Sequence, residues 1–176
     1  MSPLLVIDFG TAVGGPALAA SIDLGQRGKD LALDPERARL YVLTRSLSGA
    51  QGWLAWLDAT FELQGPWHLE DDLGFPAGSA PGGIAYDRTS DRVLVGCPTG
   101  LFSCDPETLL PQESLAGDFA AGGFTDACES YATVDGELWL PDGNTVSRVD
   151  TAPLAISGSW DTQSVHGVGW AQGGCS

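Results

Sequence analysis

A short pattern recurs along this chain: an apolar run ends in Asp and is followed by a polar turn. The Asp residues that end these runs are Asp8, Asp58, Asp105 and Asp150, spaced 45 to 50 residues apart. Self-similarity with a period of about 20–50 residues indicates a repeat architecture, in which each repeat buries its apolar face against its neighbours. This repeat constrains the fold more than any other feature of the sequence.

A second marker precedes the later copies, namely a turn that leads into a β-prone run. The turn Asp34-Pro35-Glu36-Arg37, for example, leads into Leu40-Tyr41-Val42-Leu43. In the third copy the β-prone runs can be followed one after another, at 83–86, 92–95, 100–103 and 113–115. Four short strands in each repeat of this length are typical of a β-propeller blade.

The sequence therefore predicts an all-β protein: a β-propeller of about four blades of four antiparallel strands, or an open fragment of a larger propeller. Its 24 Gly and 11 Pro favour many turns over long helices. We expect a single domain, 1–176, whose repeat units are about 3–25 (partial), 28–72, 81–118, 122–161 and 164–176 (partial). The first unit holds two outer strands and the last holds one inner strand, 165–170. We expect either closure of one blade from both chain ends or completion of an open blade by another chain.

The best-preserved unit resembles the YVTN and NHL-like group of β-propeller repeats. The resemblance rests on Leu31-Ala32-Leu33-Asp34-Pro35, Leu40-Tyr41-Val42 and Trp56-Leu57-Asp58-Ala59-Thr60. It implies a propeller scaffold, often extracytoplasmic, with functions that range from protein binding to lyase or hydrolase activity. The start of the chain is not a signal peptide, because it lacks a basic region and its apolar run ends at Asp8.

The charge balance narrows the range of partners. The 23 acidic residues outnumber the 8 basic ones, for a net charge of -15 at pH 7. Such a charge repels phosphate backbones and anionic lipid, so we expect no nucleic-acid partner. We also expect no membrane insertion, because no stretch approaches the roughly 20 consecutive apolar residues of a membrane helix.

Two short segments could hold a metal ion. His68, Glu70 and Asp72 would share one face if a strand continued through them, and the alternative is a strand that ends in a solvated acidic turn. The turn that contains Asp142 and Asn144 could offer oxygen ligands to Ca²⁺, although it lacks the alternating acidic frame of a calcium loop. Apart from that calcium alternative, we expect no cofactor.

The sequence contains no convergent catalytic set. The motif Gly-x-Ser-x-Gly does not occur, and the glycine pairs lack the Lys of a phosphate-binding loop. A surface for a protein partner is the alternative. Trp67, Asp71 and Phe75 are the candidate contacts, because they lie in or beside a long Pro- and Gly-rich loop.

The four cysteines allow several states. A turn at Pro98-Thr99-Gly100 would place Cys97 opposite Leu101, which sets Cys97 and Cys104 out of register for a cross-strand disulfide. A bridge between Cys128 and Cys175 is possible in principle and would tie down the end of the chain. Buried free thiols explain the cysteines equally well.

Three hypotheses for function follow. The first is a non-enzymatic binding or scaffold module that makes protein–protein contacts through propeller loops. The second is a lyase or hydrolase fragment of the propeller kind with an acidic or metal site. The third is a structural subunit that self-associates by completing its open blade with a neighbouring chain.

Overall fold

A computed structural model describes residues 3–8, 17–119, 132–134, 136–142 and 145–161, and every regular element in these ranges is a β-strand. Sheet 1 holds β1 (Leu4–Asp8) and β2 (Ala17–Ile22). Sheet 2 holds β3 (Arg27–Asp34), β4 (Arg39–Arg45), β5 (Gly52–Leu57) and β6 (Leu63–His68). Sheet 3 holds β7 (Gly83–Asp87), β8 (Arg92–Cys97), β9 (Gly100–Cys104) and β10 (Pro111–Leu115). Sheet 4 holds β11 (Ala132–Val134), β12 (Glu137–Asp142), β13 (Thr145–Thr151) and β14 (Leu154–Asp161).

Sheets 2, 3 and 4 are antiparallel meanders in which each strand pairs with the next one along the chain. The turn before the second strand repeats in backbone conformation, because Ala38, Asp91 and Gly136 have φ of 51°, 53° and 83° and immediately precede β4, β8 and β12. A left-handed residue at the same place in all three turns shows that the sheets are structural repeats. The all-β prediction is thus confirmed, with four antiparallel sheets of two to four strands.

The sheets pack face to face in chain order. The first strands lie next to one another, β3 against β7 and β7 against β11, and the last strands β10 and β14 also meet. Successive sheets are therefore stacked in chain order, as the blades of a propeller are. Within the described ranges no sheet bridges sheet 4 and sheet 1, and the predicted last unit, 164–176, lies outside them.

Three apolar clusters fill the spaces between successive sheets. Leu24, Val42 and Leu57 join sheet 1 to sheet 2, with Leu4 and Ile22 packed beside them. The largest cluster lies between sheets 2 and 3, and a third joins sheet 3 to sheet 4. Because sheet 3 is covered on both faces, all five residues of β9 are buried. The described residues include no helix with the length and apolarity needed to span a bilayer.

Candidate functional site

The meanders place two kinds of loop at opposite ends of the sheets. The turns after the first and third strands, such as 35–38, 88–91 and 105–110, lie at one end, which we call the turn end. The turns after the second strands and the long connection 69–82 lie at the other, which we call the loop end. Charged side chains fill the junction between sheets 2 and 3 at the turn end.

Asp34 is the buried anchor of this junction. Its side chain is 0% exposed, and its Oδ1 accepts hydrogen bonds from the backbone N–H groups of Glu36 (3.0 Å) and Arg37 (3.1 Å). Its Oδ2 accepts a hydrogen bond from Arg37 Nη1 at 3.0 Å. The local sequence produces this arrangement because an Asp at the start of a turn can bond the backbone two and three residues on.

Arg37 connects sheet 2 to sheet 3. Its Nη1 and Nη2 donate to the two carboxylate oxygens of Asp91 at 2.7 and 2.8 Å, and its Nε donates to Glu107 Oε1 at 2.6 Å. The fork-to-fork geometry with Asp91 is the strongest form of this ion pair. The Arg37 guanidinium lowers the pKa of Asp91. Arg37 and Arg39 together lower the pKa of Glu107.

Aromatic rings close the same junction from inside. Tyr41 is buried and donates from its hydroxyl to the carbonyl oxygen of Pro106 at 3.0 Å. The Tyr86 hydroxyl donates to Asp91 Oδ1 at 2.9 Å, and burial is the main reason that its pKa is raised to about 12. The Arg39 guanidinium carbon lies 4.3 Å from the ring centroid of Trp56. Of these three contacts, the hydrogen bond from Tyr41 to Pro106 joins sheet 2 to sheet 3, whereas the other two lie within one sheet.

A smaller version of the junction occurs between sheets 3 and 4. Asp87, at the end of β7, is equivalent to Asp34 and accepts hydrogen bonds from the backbone of Thr89 (3.1 Å) and Ser90 (3.2 Å). The Thr151 hydroxyl of sheet 4 donates to the Asp87 carboxylate. Hydrogen bonds from Ser90 and Thr151 outweigh the effect of burial and lower the pKa of Asp87. Two buried carboxylates, Asp34 and Asp87, thus occupy equivalent places at successive sheet junctions of the turn end, and Asp87 bonds directly to the next sheet.

The loop end differs, because the connection 69–82 is held by apolar anchors and leaves polar residues exposed. Leu69, Leu73 and Phe75 are buried. Backbone hydrogen bonds run from Phe75 N to Leu69 O at 2.9 Å and from Leu73 N to His68 O at 3.2 Å. Asp71, between the anchors, has a side chain that is 84% exposed. The Pro- and Gly-rich loop is therefore anchored by buried side chains and backbone hydrogen bonds.

Of the predicted partner contacts, only Asp71 is fully exposed. The prediction for Phe75 is wrong, because its ring packs in the core with its centroid 4.7 Å from that of Phe102. Trp67 is half-buried and packs against the same core. Both side chains are drawn inward because the connection folds back over the space between sheets 2 and 3, which loop composition does not reveal.

The predicted metal ligands at 68–72 take part in turn geometry. Strand β6 ends at His68, and the chain turns at once, with Asp72 Oδ2 accepting from His68 N (2.7 Å) and His68 Nδ1 accepting from Asp71 N (3.2 Å). Glu70 Oε1 accepts from Gly78 N at 2.8 Å. The shared face expected for a continuous strand is therefore absent. In the described part of the chain no group of three or more His, Cys, Asp or Glu side chains could hold a metal ion.

The other predicted sites lie partly outside the described residues. Asn144, Cys128 and Cys175 lie there, and Asp142 is described only as the last residue of β12, so the calcium and disulfide predictions stay predictions. Cys97 and Cys104 are free and buried. The predicted register of this hairpin is wrong by one residue, because Cys97 pairs with Gly100 across a two-residue turn. Burial raises the pKa of Cys97 to about 12.

The sequence did not identify Arg37 as the residue that joins sheet 2 to sheet 3. The turn Asp34-Pro35-Glu36-Arg37 marks a repeat in the sequence, but it does not reveal which acidic residue of the next repeat the guanidinium meets. A signal was nevertheless present in two equivalent turns of successive repeats. Arg37 is the third residue of the turn 35–38, and Asp91 is the fourth residue of the turn 88–91.

The fold and its junctions define a propeller-like protein built from successive four-stranded sheets. No protein-family model and no curated protein matches the chain.

Solved structures with similar folds are found at low sequence identity. A nidogen/laminin complex matches with a TM-score of 0.59 and 14% identity, over 84% of this chain and 52% of that one. A luciferin-regenerating enzyme matches with a TM-score of 0.56 and 13% identity, over 90% and 56%. A protein from Desulfotomaculum acetoxidans, described as functionally unknown, matches with a TM-score of 0.51 and 12% identity, over 91% and 63%. The chain therefore spans between 52% and 63% of the length of these structures, and the likeness is one of fold.

Proposed function

We propose that this chain is a protein-binding module of the YVTN and NHL-like propeller group, and that its contact surface is the loop end. The observation that carries this proposal is the difference between the two ends. At the turn end Arg37 is paired across the junction of sheets 2 and 3 with Asp91 and Glu107. At the loop end Leu47, which is 89% exposed, and the exposed Asp71 project from the surface.

The anchoring of the loop end supports recognition of a partner. Side chains held on an ordered loop lose little conformational freedom on binding. The entropic cost of ordering the loop therefore reduces the binding free energy less. The backbone of the β4–β5 turn is also constrained, with Gly49 N donating to Ser46 O and Ser46 N to Gln51 O, both at 2.9 Å. Exposed apolar and acidic groups together fit a partner with an apolar pocket and a basic rim.

One of the structures with a similar fold is of a complex of two proteins, nidogen and laminin. That structure supports a protein-binding role as one use of this fold, although the fold does not specify which residues make the contact.

Site-specific photocrosslinking tests the proposal. A photoreactive residue is placed at Leu47 or Asp71, and the matched control is placed at Leu110, an exposed leucine at the turn end. Exposed to an extract of the source organism, the loop-end probes should give an adduct of one defined mass that the Leu110 probe does not give. Asp71→Lys should reduce the adduct formed at Leu47. Equal adducts from both ends, or none from Leu47 and Asp71, would contradict the proposal.

A further inference from the structure

Two arginines lie side by side at the loop end of sheet 2. Arg27 begins β3 and pairs directly with Arg45, the last residue of β4. We call these two residues the arginine pair. Residues paired across antiparallel strands carry their side chains on the same face, and two like charges in such a pair destabilise the sheet. The chain has only 8 basic residues and nevertheless places two of them in an unfavourable pair.

A β-bulge at Lys29 produces the arginine pair. Strands β3 and β4 keep a regular register from the turn end as far as Asp30, and the register then shifts by one residue before Gly28. Without this shift, Gly28 would lie opposite Arg45. The equivalent strand pairs β7–β8 and β11–β12 keep one register throughout. Bulges often redirect a side chain beside a functional site, and this one brings Arg27 opposite Arg45.

The arginine pair lies on the side of sheet 2 that faces sheet 3. Leu43, two residues before Arg45 on β4, belongs to the apolar cluster between these sheets. Arg37 lies at the turn end of the same junction, where it meets two carboxylates of sheet 3. At the loop end, residues 79–83 and 96–100, where the chain enters β7 and turns from β8 to β9, include no Asp or Glu. Sheet 3 therefore offers carboxylates to an arginine at the turn end of this junction and none at the loop end.

The Arg45 guanidinium has no hydrogen-bond or ion-pair partner among the described residues. The nearby connection 69–82 contains carboxylates, but they are bound elsewhere. Glu70 Oε1 accepts from Gly78 N at 2.8 Å, and Asp72 Oδ2 accepts from His68 N at 2.7 Å. The ion pairs of the described ranges engage other basic side chains, namely those of Arg37, Arg39, His68, Arg88 and Arg148. Because Arg27 is exposed and Arg45 is half-buried, a ligand can reach the pair.

We propose that the arginine pair binds a carboxylate side chain of the partner protein, a Glu or Asp flanked by apolar residues. A guanidinium has paired N–H donors that match the two oxygens of a carboxylate, and a carboxylate held between two guanidiniums offsets their repulsion. Leu47, two residues after Arg45 and 89% exposed, provides an apolar contact. A single carboxylate fits better than an acidic stretch, because the net charge of -15 repels a polyanion. This inference rests on the proposed function and adds a carboxylate to the partner's apolar pocket and basic rim.

NMR titration with two capped tripeptides tests the proposal. The probe is acetyl-Leu-Glu-Leu-amide, and its matched control has Gln in place of Glu, so that neither has a free chain end. At about 150 mM salt and up to about 10 mM peptide, the probe should shift the Nε–H signals of Arg27 and Arg45. The Gln peptide should bind at least about tenfold more weakly, because a neutral amide does not form the charge-assisted hydrogen bonds. Equal affinity for the two peptides, or no shift with either, would overturn the proposal.

Substitution of the arginines locates the bound carboxylate. Arg45→Gln should abolish the difference in affinity between the two peptides, and Arg27→Gln should repeat this result at the other member of the pair. The matched control is Arg88→Gln, at an exposed arginine of the turn end that pairs with Glu36, and it should keep the difference. Far-UV circular dichroism checks that each variant folds. A difference that persists in Arg45→Gln would refute the arginine pair as the binding site.

The peptide titration and the photocrosslinking experiment fail independently. An adduct at Leu47 together with equal affinity for the two peptides would retain the protein-binding role and refute the carboxylate site. No adduct at Leu47 or Asp71, together with a Glu-dependent shift of the Arg45 signal, would retain the carboxylate site and refute the protein-binding role.

Discussion

Removal of the Arg37 guanidinium should destabilise the association of sheets 2 and 3. Arg37→Met keeps much of the side-chain volume and leaves the buried Asp34 carboxylate without its ion-pair partner. Loss of one partner of a buried charged hydrogen bond costs about 2–3 kcal/mol in the free energy of unfolding. We expect a cost near the low end of this range for Asp34, because its carboxylate keeps two backbone donors. The pairs with Asp91 and Glu107, whose side chains are about half exposed, add roughly 0.5 kcal/mol each.

The expected loss is therefore about 3 kcal/mol in the free energy of unfolding, or about 6–12 °C in Tm for a chain of this length. Urea unfolding and thermal unfolding, both followed by circular dichroism, measure these quantities. The matched control is Arg88→Met, which removes an ion pair with Glu36 that is open to solvent on both sides and should change stability little. If Arg37→Met lowers Tm no more than Arg88→Met does, the sheet junction does not depend on Arg37.

Three further predictions concern other polar and titratable groups. Thr151→Val should lower the free energy of unfolding by about 1–2 kcal/mol, because it removes the hydrogen bond to Asp87. Thr44→Val should leave the free energy of unfolding unchanged or raise it, because the buried Thr44 hydroxyl has no partner among the described residues. Urea unfolding of both variants tests this pair of predictions, and a similar loss in each would refute it. Cys97, with its pKa raised to about 12, should react with iodoacetamide at pH 8 at least about 100-fold more slowly in the native protein than in urea, as measured by peptide mass mapping. The lowered pKa values of Asp91 and Glu107 mean that their stabilisation is present above the ordinary carboxyl pKa and is lost as the pH falls through the folded value. The stability of Arg37→Met should thus decline less steeply than that of the wild type below about pH 4.5, and parallel curves would contradict this reading.

The strands of sheet 3 could be predicted closely from the sequence. The runs at 83–86, 92–95 and 100–103 lie within β7, β8 and β9, because short apolar runs bounded by Asp-containing turns have few other solutions. The register of the hairpin at Cys97 was less predictable. A turn of two residues and one of three residues both fit Pro98-Thr99-Gly100, and a one-residue error changes which residues lie opposite each other.

The candidate sites were harder to predict than the strands. Phe75 and Trp67 lie in a segment whose Gly and Pro content indicates an exposed loop, yet burial between two sheets decides their positions. The set His68, Glu70 and Asp72 depended on a strand that ends at His68. In both cases the outcome depends on where the chain turns and what lies above it, which local composition does not specify.

The sequence alone determined the all-β character of this protein, since a repeated order of short apolar runs and Asp turns favours strands that pair locally with their neighbours. The tertiary structure decided which side chains of one repeat meet those of the next. The bonds from Arg37 to Asp91 and from Thr151 to Asp87 join residues 54 and 64 positions apart. The physical reason is that strand pairing follows local periodicity, whereas contacts between sheets depend on the angle and spacing at which whole repeats pack.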